Sequence, residues 1–72
     1  MAHGTVKFFK LEKGWGAISS PDLPPGLDAF VHYSVIEADG LRALEAGDQV
    51  EFEYEPARQD SFRFVATRAR KV

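Results

Sequence analysis

Cysteine is absent from the chain, so no disulfide can staple it and no thiolate can hold a metal. Histidine is scarce as well. His3 and His32 are the only two, too few for a histidine-built cage, and neither a metal nor a cofactor is expected. No segment approaches the roughly 18 apolar residues of a membrane-spanning helix, and no apolar run of signal-peptide length opens the sequence. A cytoplasmic protein without a membrane partner is the expectation. Net charge is close to absent too, since nine Lys and Arg face eleven Asp and Glu for a total of −2. The 72 residues form one domain, 1–72. A chain this short buries only about 60% of its unfolded surface, which leaves little for a catalytic cleft.

The low total charge argues against nucleic acid only until it is resolved along the chain. Residues 1–16 hold Lys7, Lys10 and Lys13 against Glu12 alone. Residues 17–55 hold nine carboxylates against Arg42. Residues 56–72 hold Arg58, Arg63, Arg68, Arg70 and Lys71 against Asp60. An acidic middle therefore separates two basic ends. If the ends fold together, a basic surface sits on an acidic protein, and a partner feels that local charge rather than the sum.

Period-two alternation predicts five strands and no long helix. The first spans 4–10 (Gly4-Thr5-Val6-Lys7-Phe8-Phe9-Lys10) and the second 15–19, after a turn at Glu12-Lys13-Gly14. Three prolines and a glycine make 21–26 a loop, and the third strand covers 28–33. Ser34-Val35-Ile36-Glu37 has the form of a capping box, and 41–46 is a short helical candidate ended by Gly47. The fourth strand, 49–55, alternates without a fault, and 61–67 is the fifth. Strands this short, with no helix to cover a sheet, close into a small barrel, which also removes exposed edges.

Phe8, Phe9, Trp15, Phe30 and Tyr33 are interleaved with Lys7, Lys10, Lys13 and His32. If the first three strands are neighbours, rings and cations share one surface. Single-stranded nucleic acid uses that combination, with bases stacked on rings at about 1–3 kcal/mol each and cations along the phosphates. Alternation puts Val31 and Ile18 in the core, and Phe30 with His32 on the opposite face. It also puts Phe8 and Phe9 on opposite faces, so a bulge or strong twist is required if both meet a ligand. Gly14 and Gly16 are expected to leave the Trp15 ring uncovered. An enzyme is not expected, because no carboxylate pair, Ser-His-Asp set or phosphate-cradling loop stands out. The alternative is a small barrel that uses the aromatic patch to bind a protein. Salt separates the two, since phosphate binding weakens steeply with ionic strength.

Lys13-Gly14-Trp15-Gly16-Ala17-Ile18 resembles the first ribonucleoprotein motif of the bacterial cold shock proteins, usually Lys-Gly-Phe-Gly-Phe-Ile. Ala29-Phe30-Val31-His32-Tyr33 resembles their second, Val-Phe-Val-His-Phe. The opening 4–10 is similar to their Gly-Thr-Val-Lys-Trp-Phe-Asn, and the resemblance runs over essentially the whole chain. It implies an all-β, five-stranded antiparallel Greek-key barrel of the oligonucleotide-binding fold. It further implies binding of single-stranded RNA and DNA and loosening of RNA secondary structure, and since nothing in the sequence requires more than one copy, a monomer is expected. Carried over, the stacking surface falls on Phe8, Phe9, Trp15, Phe30, His32 and Tyr33. Charged contacts fall on Lys7 and Lys13, and Asp28 becomes a base-edge acceptor. Lys10, where the family has Asn, adds charge, and Arg58 and Arg63 are further phosphate candidates. No small-molecule substrate is implied.

The chain also departs from the family's pattern. Ala17 stands where a second motif-one Phe belongs, and Leu41 stands where an aromatic usually follows the glycine. The indole has moved from position 8 to position 15, and the loop 19–27 is longer than usual. Losing one stack predicts binding roughly fivefold to a hundredfold weaker than a full platform gives, with Ala17→Phe restoring affinity.

Overall fold

The computed structural model describes residues 1–72. Five strands, β1 (Ala2–Lys10), β2 (Trp15–Ser19), β3 (Ala29–His32), β4 (Gln49–Gln59) and β5 (Phe62–Lys71), are joined by loops and one 3-10 turn, Tyr33–Val35. They close into a barrel in the order β1-β2-β3-β5-β4. Four of the neighbouring pairs are antiparallel. The fifth is a short parallel contact, Ala29 with Phe64 and Phe30 with Val65, where β5 closes the barrel on β3. The all-β five-stranded barrel expected from the alternation is present, with that single parallel seam in an otherwise antiparallel sheet.

Alternation on β4 places Val50 and Phe52 wholly inside and turns Glu51 and Glu53 outward. On β5 the inward residues are Ala66 and Ala69, three apart. A register shift explains the spacing, because Glu53 pairs with Arg68 while Tyr54 pairs with Ala66, so Thr67 is the extra residue of a bulge. That break in period is why the alternation stops at 67 while the strand runs on to Lys71. Pro56 is accommodated because β4 loses β1 as a neighbour beyond Phe52, and a proline lacking an N–H is tolerated on such an edge. The β4–β5 hairpin thus projects past the barrel and turns at Asp60, whose φ of 53° an aspartate adopts at modest cost.

Val6, Ile18, Val31, Val50, Phe52 and Leu44 are the largest fully buried side chains. Leu44 belongs to the segment expected as a helix, but 41–46 forms none. Six residues are too few to nucleate a helix without help. The chain instead runs irregularly and sinks Leu44 into the core. It is pinned there by Glu45 N–H donating to Asp48 Oδ2 at 2.9 Å and by Gly47 N–H donating to the Val6 carbonyl at 2.8 Å. Helical structure near 34–37 is confined to the 3-10 turn, and its cap is His32 rather than Ser34. The Ser34 N–H donates to His32 Nδ1 at 3.2 Å. Strand β3 accordingly ends one residue earlier than expected, and Tyr33 belongs to the turn.

Candidate nucleic-acid interface

The outward face of β1–β3 is set by a bulge. Val6 pairs with Ile18 but Phe8 pairs with Ala17, which leaves Lys7 as the extra residue. A bulge is present, but it does not bring Phe8 and Phe9 onto one face. It keeps Val6 inside while Lys7 and Phe8 both emerge, and Phe8 is 36% exposed. Phe9 then turns inward, half-buried against the core, apart from the other rings named for stacking.

Residues directly opposite on antiparallel strands share a face. Lys10, Trp15 and His32 form one such row, and Phe8, Ala17 and Phe30 form the next. Trp15 is the hub. It stacks on Phe30 with centroids 5.5 Å apart and planes at 22°, and the Phe8 ring meets its edge at 5.7 Å. Lys10 Nζ lies 4.9 Å from the Trp15 centroid and 5.8 Å from that of Phe8, an attraction worth about 0.5–1 kcal/mol at an exposed site. A second ring pair, His32 and Tyr33, sits beside this cluster with centroids 4.4 Å apart. The Ser34 hydroxyl is 2.8 Å from His32 Nδ1.

The two glycines beside Trp15 serve the backbone rather than baring the indole. Gly14 has φ 78°, and a Cβ there would stand 2.7 Å from the Tyr33 ring. A Cβ on Gly16 would strike the Phe8 carbonyl and come within 2.8 Å of the Phe9 Cα. Close packing of β1 on β2 and of Tyr33 on the turn is what requires them.

The cations divide into two sets. Lys7 Nζ donates to Asp28 Oδ2 at 2.9 Å, so two residues named as ligand contacts hold each other. On β5, Arg68 grips Glu37 through Nε and one terminal nitrogen at 2.9 and 3.0 Å. Arg70 pairs with Glu51 at 2.9 Å and Lys71 with Asp48 at 3.3 Å. The Arg68 hydrogen bond holds the Glu37 carboxyl below its ordinary 4.5, and Glu37 in turn raises the Arg68 guanidinium. Most of the C-terminal basic segment is therefore neutralised by the acidic β4 and its flanking loops, and the two basic ends do not merge into one surface. Lys10, Lys13, Arg58 and Arg63 form no ion pair and remain exposed. No three His, Asp or Glu side chains converge as metal ligands.

One ring was not singled out by the sequence. Phe62, first residue of β5, makes T-shaped contacts with Trp15 and Phe30, with centroids 6.1 and 5.6 Å apart. The alternation grouped it with Phe64, which packs against the core. Its neighbour Arg63 was the only local hint. Leu41, where the resemblance leads one to expect a ring, is 82% exposed.

Residues 2–63 match the family model described as the 'Cold-shock' DNA-binding domain. The chain is 47% identical over 55 residues to "Cold shock protein 1" of Lactiplantibacillus plantarum, covering 76% of this chain and 79% of that protein. It is 44% identical over 59 residues to the "Major cold shock protein" of Streptococcus pyogenes serotype M18, covering 82% and 84% of the two chains. Against the "Major cold shock protein" of Micrococcus luteus it is 49% identical over 53 residues, covering 74% and 76%.

Proposed function

The chain belongs to the 'cold-shock' DNA-binding domain family, and from that premise we propose that it binds single-stranded RNA and DNA as a monomer through the outer face of β1–β3. The observation that carries this reading is the Trp15-centred ring cluster flanked by unpaired Lys10 and Lys13. Phe8, Trp15, Phe30, His32 and Tyr33 offer faces or edges to unpaired bases. Phe9 packs against the core instead. Lys7, Lys10 and Lys13 follow the phosphates, with Arg58 and Arg63 on the projecting hairpin as further contacts. Asp28 uses Oδ2 for Lys7 and keeps Oδ1 to accept from a base edge.

The action proposed is passive. Holding about three to six unpaired bases favours the open form of a hairpin over the closed one, with no nucleotide hydrolysis and no catalytic group. Opening of transcript hairpins in the cytoplasm is the RNA-chaperone role this supports, and through it transcription or translation is adjusted. Weak sequence selectivity follows, because every base has a face to stack.

The test is a titration of Trp15 fluorescence with a pyrimidine-rich single strand. The expected result is quenching, with affinity that falls as salt is raised. An unchanged signal at saturating strand overturns the stacking model, and binding of a protein partner that ignores salt points to the apolar-interface alternative.

A further inference from the structure

Ala17 and Phe30 are buried, at 1% and 9% exposure, yet neither belongs to the core cluster. Both lie in the outward-facing row with Phe8, so they are covered from outside the barrel. The cover consists of rings. Trp15 lies flat over Phe30, and Phe62 comes across from the β4–β5 hairpin to meet both of them edge-on. Ala17 is thus the floor of an aromatic cluster and not an open gap in it. The methyl at this point adds no ring between Phe8 and Phe30, and Phe62 reaches the same cluster from a different strand.

Phe62 also has a second neighbourhood. It lines a shallow cleft with Gly26, Leu27, Asp28, Ser61 and Arg63, between the β2–β3 loop and the hairpin tip. Its lining thus combines an aromatic residue, an aspartate whose Oδ2 is held by Lys7, and an arginine in no ion pair. A ring for a base face, an acceptor for a base edge and a cation for a phosphate are the three contacts one nucleotide offers. Phe62 is half-buried, and at the hairpin tip its only strand partner is Gln59.

We propose that Phe62 is a base-stacking ring of this interface, delivered by the β4–β5 hairpin onto Trp15 and Phe30, the latter lying directly opposite Ala17, so that positions 17 and 62 act as a coupled pair. The proposal rests on the single-strand reading above and adds to it a ring from outside β1–β3. The ring missing at 17 is then not a loss of affinity, because it has been moved to another strand.

The experiment is a binding titration with a labelled seven-thymidine DNA strand followed by anisotropy, which does not depend on Trp15 emission. Phe62→Leu keeps an apolar cover over Phe30 but removes the aromatic face, and circular dichroism checks that the barrel persists. The expected loss is about 5- to 150-fold, the equivalent of one stacked base. Ala17→Phe alone binds no tighter than wild type, because Phe62 already fills the cluster. The double variant Ala17→Phe/Phe62→Leu returns to within about threefold of wild type. A folded Phe62→Leu that binds like wild type overturns the proposal, and so does an Ala17→Phe that binds fivefold tighter on its own. The underlying reading fails separately, if wild type itself shows no salt-dependent binding to the strand. If wild type binds and Trp15→Ala weakens it while Phe62→Leu does not, only the role of Phe62 falls.

Discussion

Lys7 Nζ and Asp28 Oδ2 are 2.9 Å apart, linking the bulge of β1 to the residue just before β3. The Lys7 side chain is 53% exposed and that of Asp28 25%, so the pair is solvated and of small value to stability. In the proposed interface its weight falls on binding instead. A strand approaching Lys7 meets a cation already half-engaged by a carboxylate.

Removing Lys7 therefore does more harm than removing an unpaired lysine. Lys7→Gln deletes a phosphate contact and also leaves the Asp28 charge uncompensated toward the strand, whereas Lys13→Gln deletes a contact only. Dissociation constants at low salt are expected to rise further for Lys7→Gln, and Lys7→Gln/Asp28→Asn is expected to recover part of the difference. Equal losses for Lys7→Gln and Lys13→Gln refute the argument.

Salt dependence reports which cations matter. Each phosphate neutralised on a single strand contributes about −0.7 to the slope of log K against log salt. Lys7, Lys10, Lys13, Arg58 and Arg63 together set a limit of about −3.5. Arg68→Gln and Arg70→Gln are expected to leave the slope unchanged, because those guanidinium groups are held by Glu37, Glu53 and Glu51. A shallower slope in either variant extends the binding face to the C-terminal half of β5.

Phe52 carries more of the core than any other ring. It is fully buried and packs at 5.6 Å from Tyr54. Phe52→Ala is expected to cost about 3–5 kcal/mol, against a total of about 5–15 kcal/mol for a typical domain. Denaturant titration reads this directly, and a loss below about 1 kcal/mol contradicts the packing.

Glu37 titrates below its ordinary value because Arg68 hydrogen-bonds its charged form. A carboxyl with a depressed folded pKa adds stability above the unfolded-chain pKa, and loses it as pH falls through the folded one. The contribution is thus present above about pH 4.5 and lost in stronger acid. Carboxyl NMR titration is expected to give a lower midpoint for Glu37 in wild type than in Arg68→Gln. High salt narrows the gap, since both groups are exposed.

The strand pattern was legible because alternation is a local property. Glu51, Phe52 and Glu53 announce a half-buried strand with no knowledge of their partners, whereas on β1 the bulge at Lys7 turns Phe8 out and Phe9 in, the reverse of what strict alternation from Val6 gives. The 41–46 segment was not legible. Its residues are compatible with a helix, and what overrides that is Leu44 fitting the barrel mouth with Gly47 bonded to Val6. Strand β5 was under-read for a related reason, because the bulge at Thr67 breaks the period that sequence reading relies on.

The sequence by itself determined the five strands, the inward and outward sets on most of them, and the ring-and-lysine composition of β1–β3. Periodicity and residue type suffice for these, since neither depends on what lies across the sheet. Only the tertiary structure decided which cations stay free and which rings meet. Arg68 and Arg70 are spent on the carboxylates of β4 and its flanking loop, while Phe62 crosses from the hairpin to Trp15 and Phe30. Both outcomes come from pairing residues far apart in the chain, and a composition total of −2 or an alanine in a motif carries no trace of them.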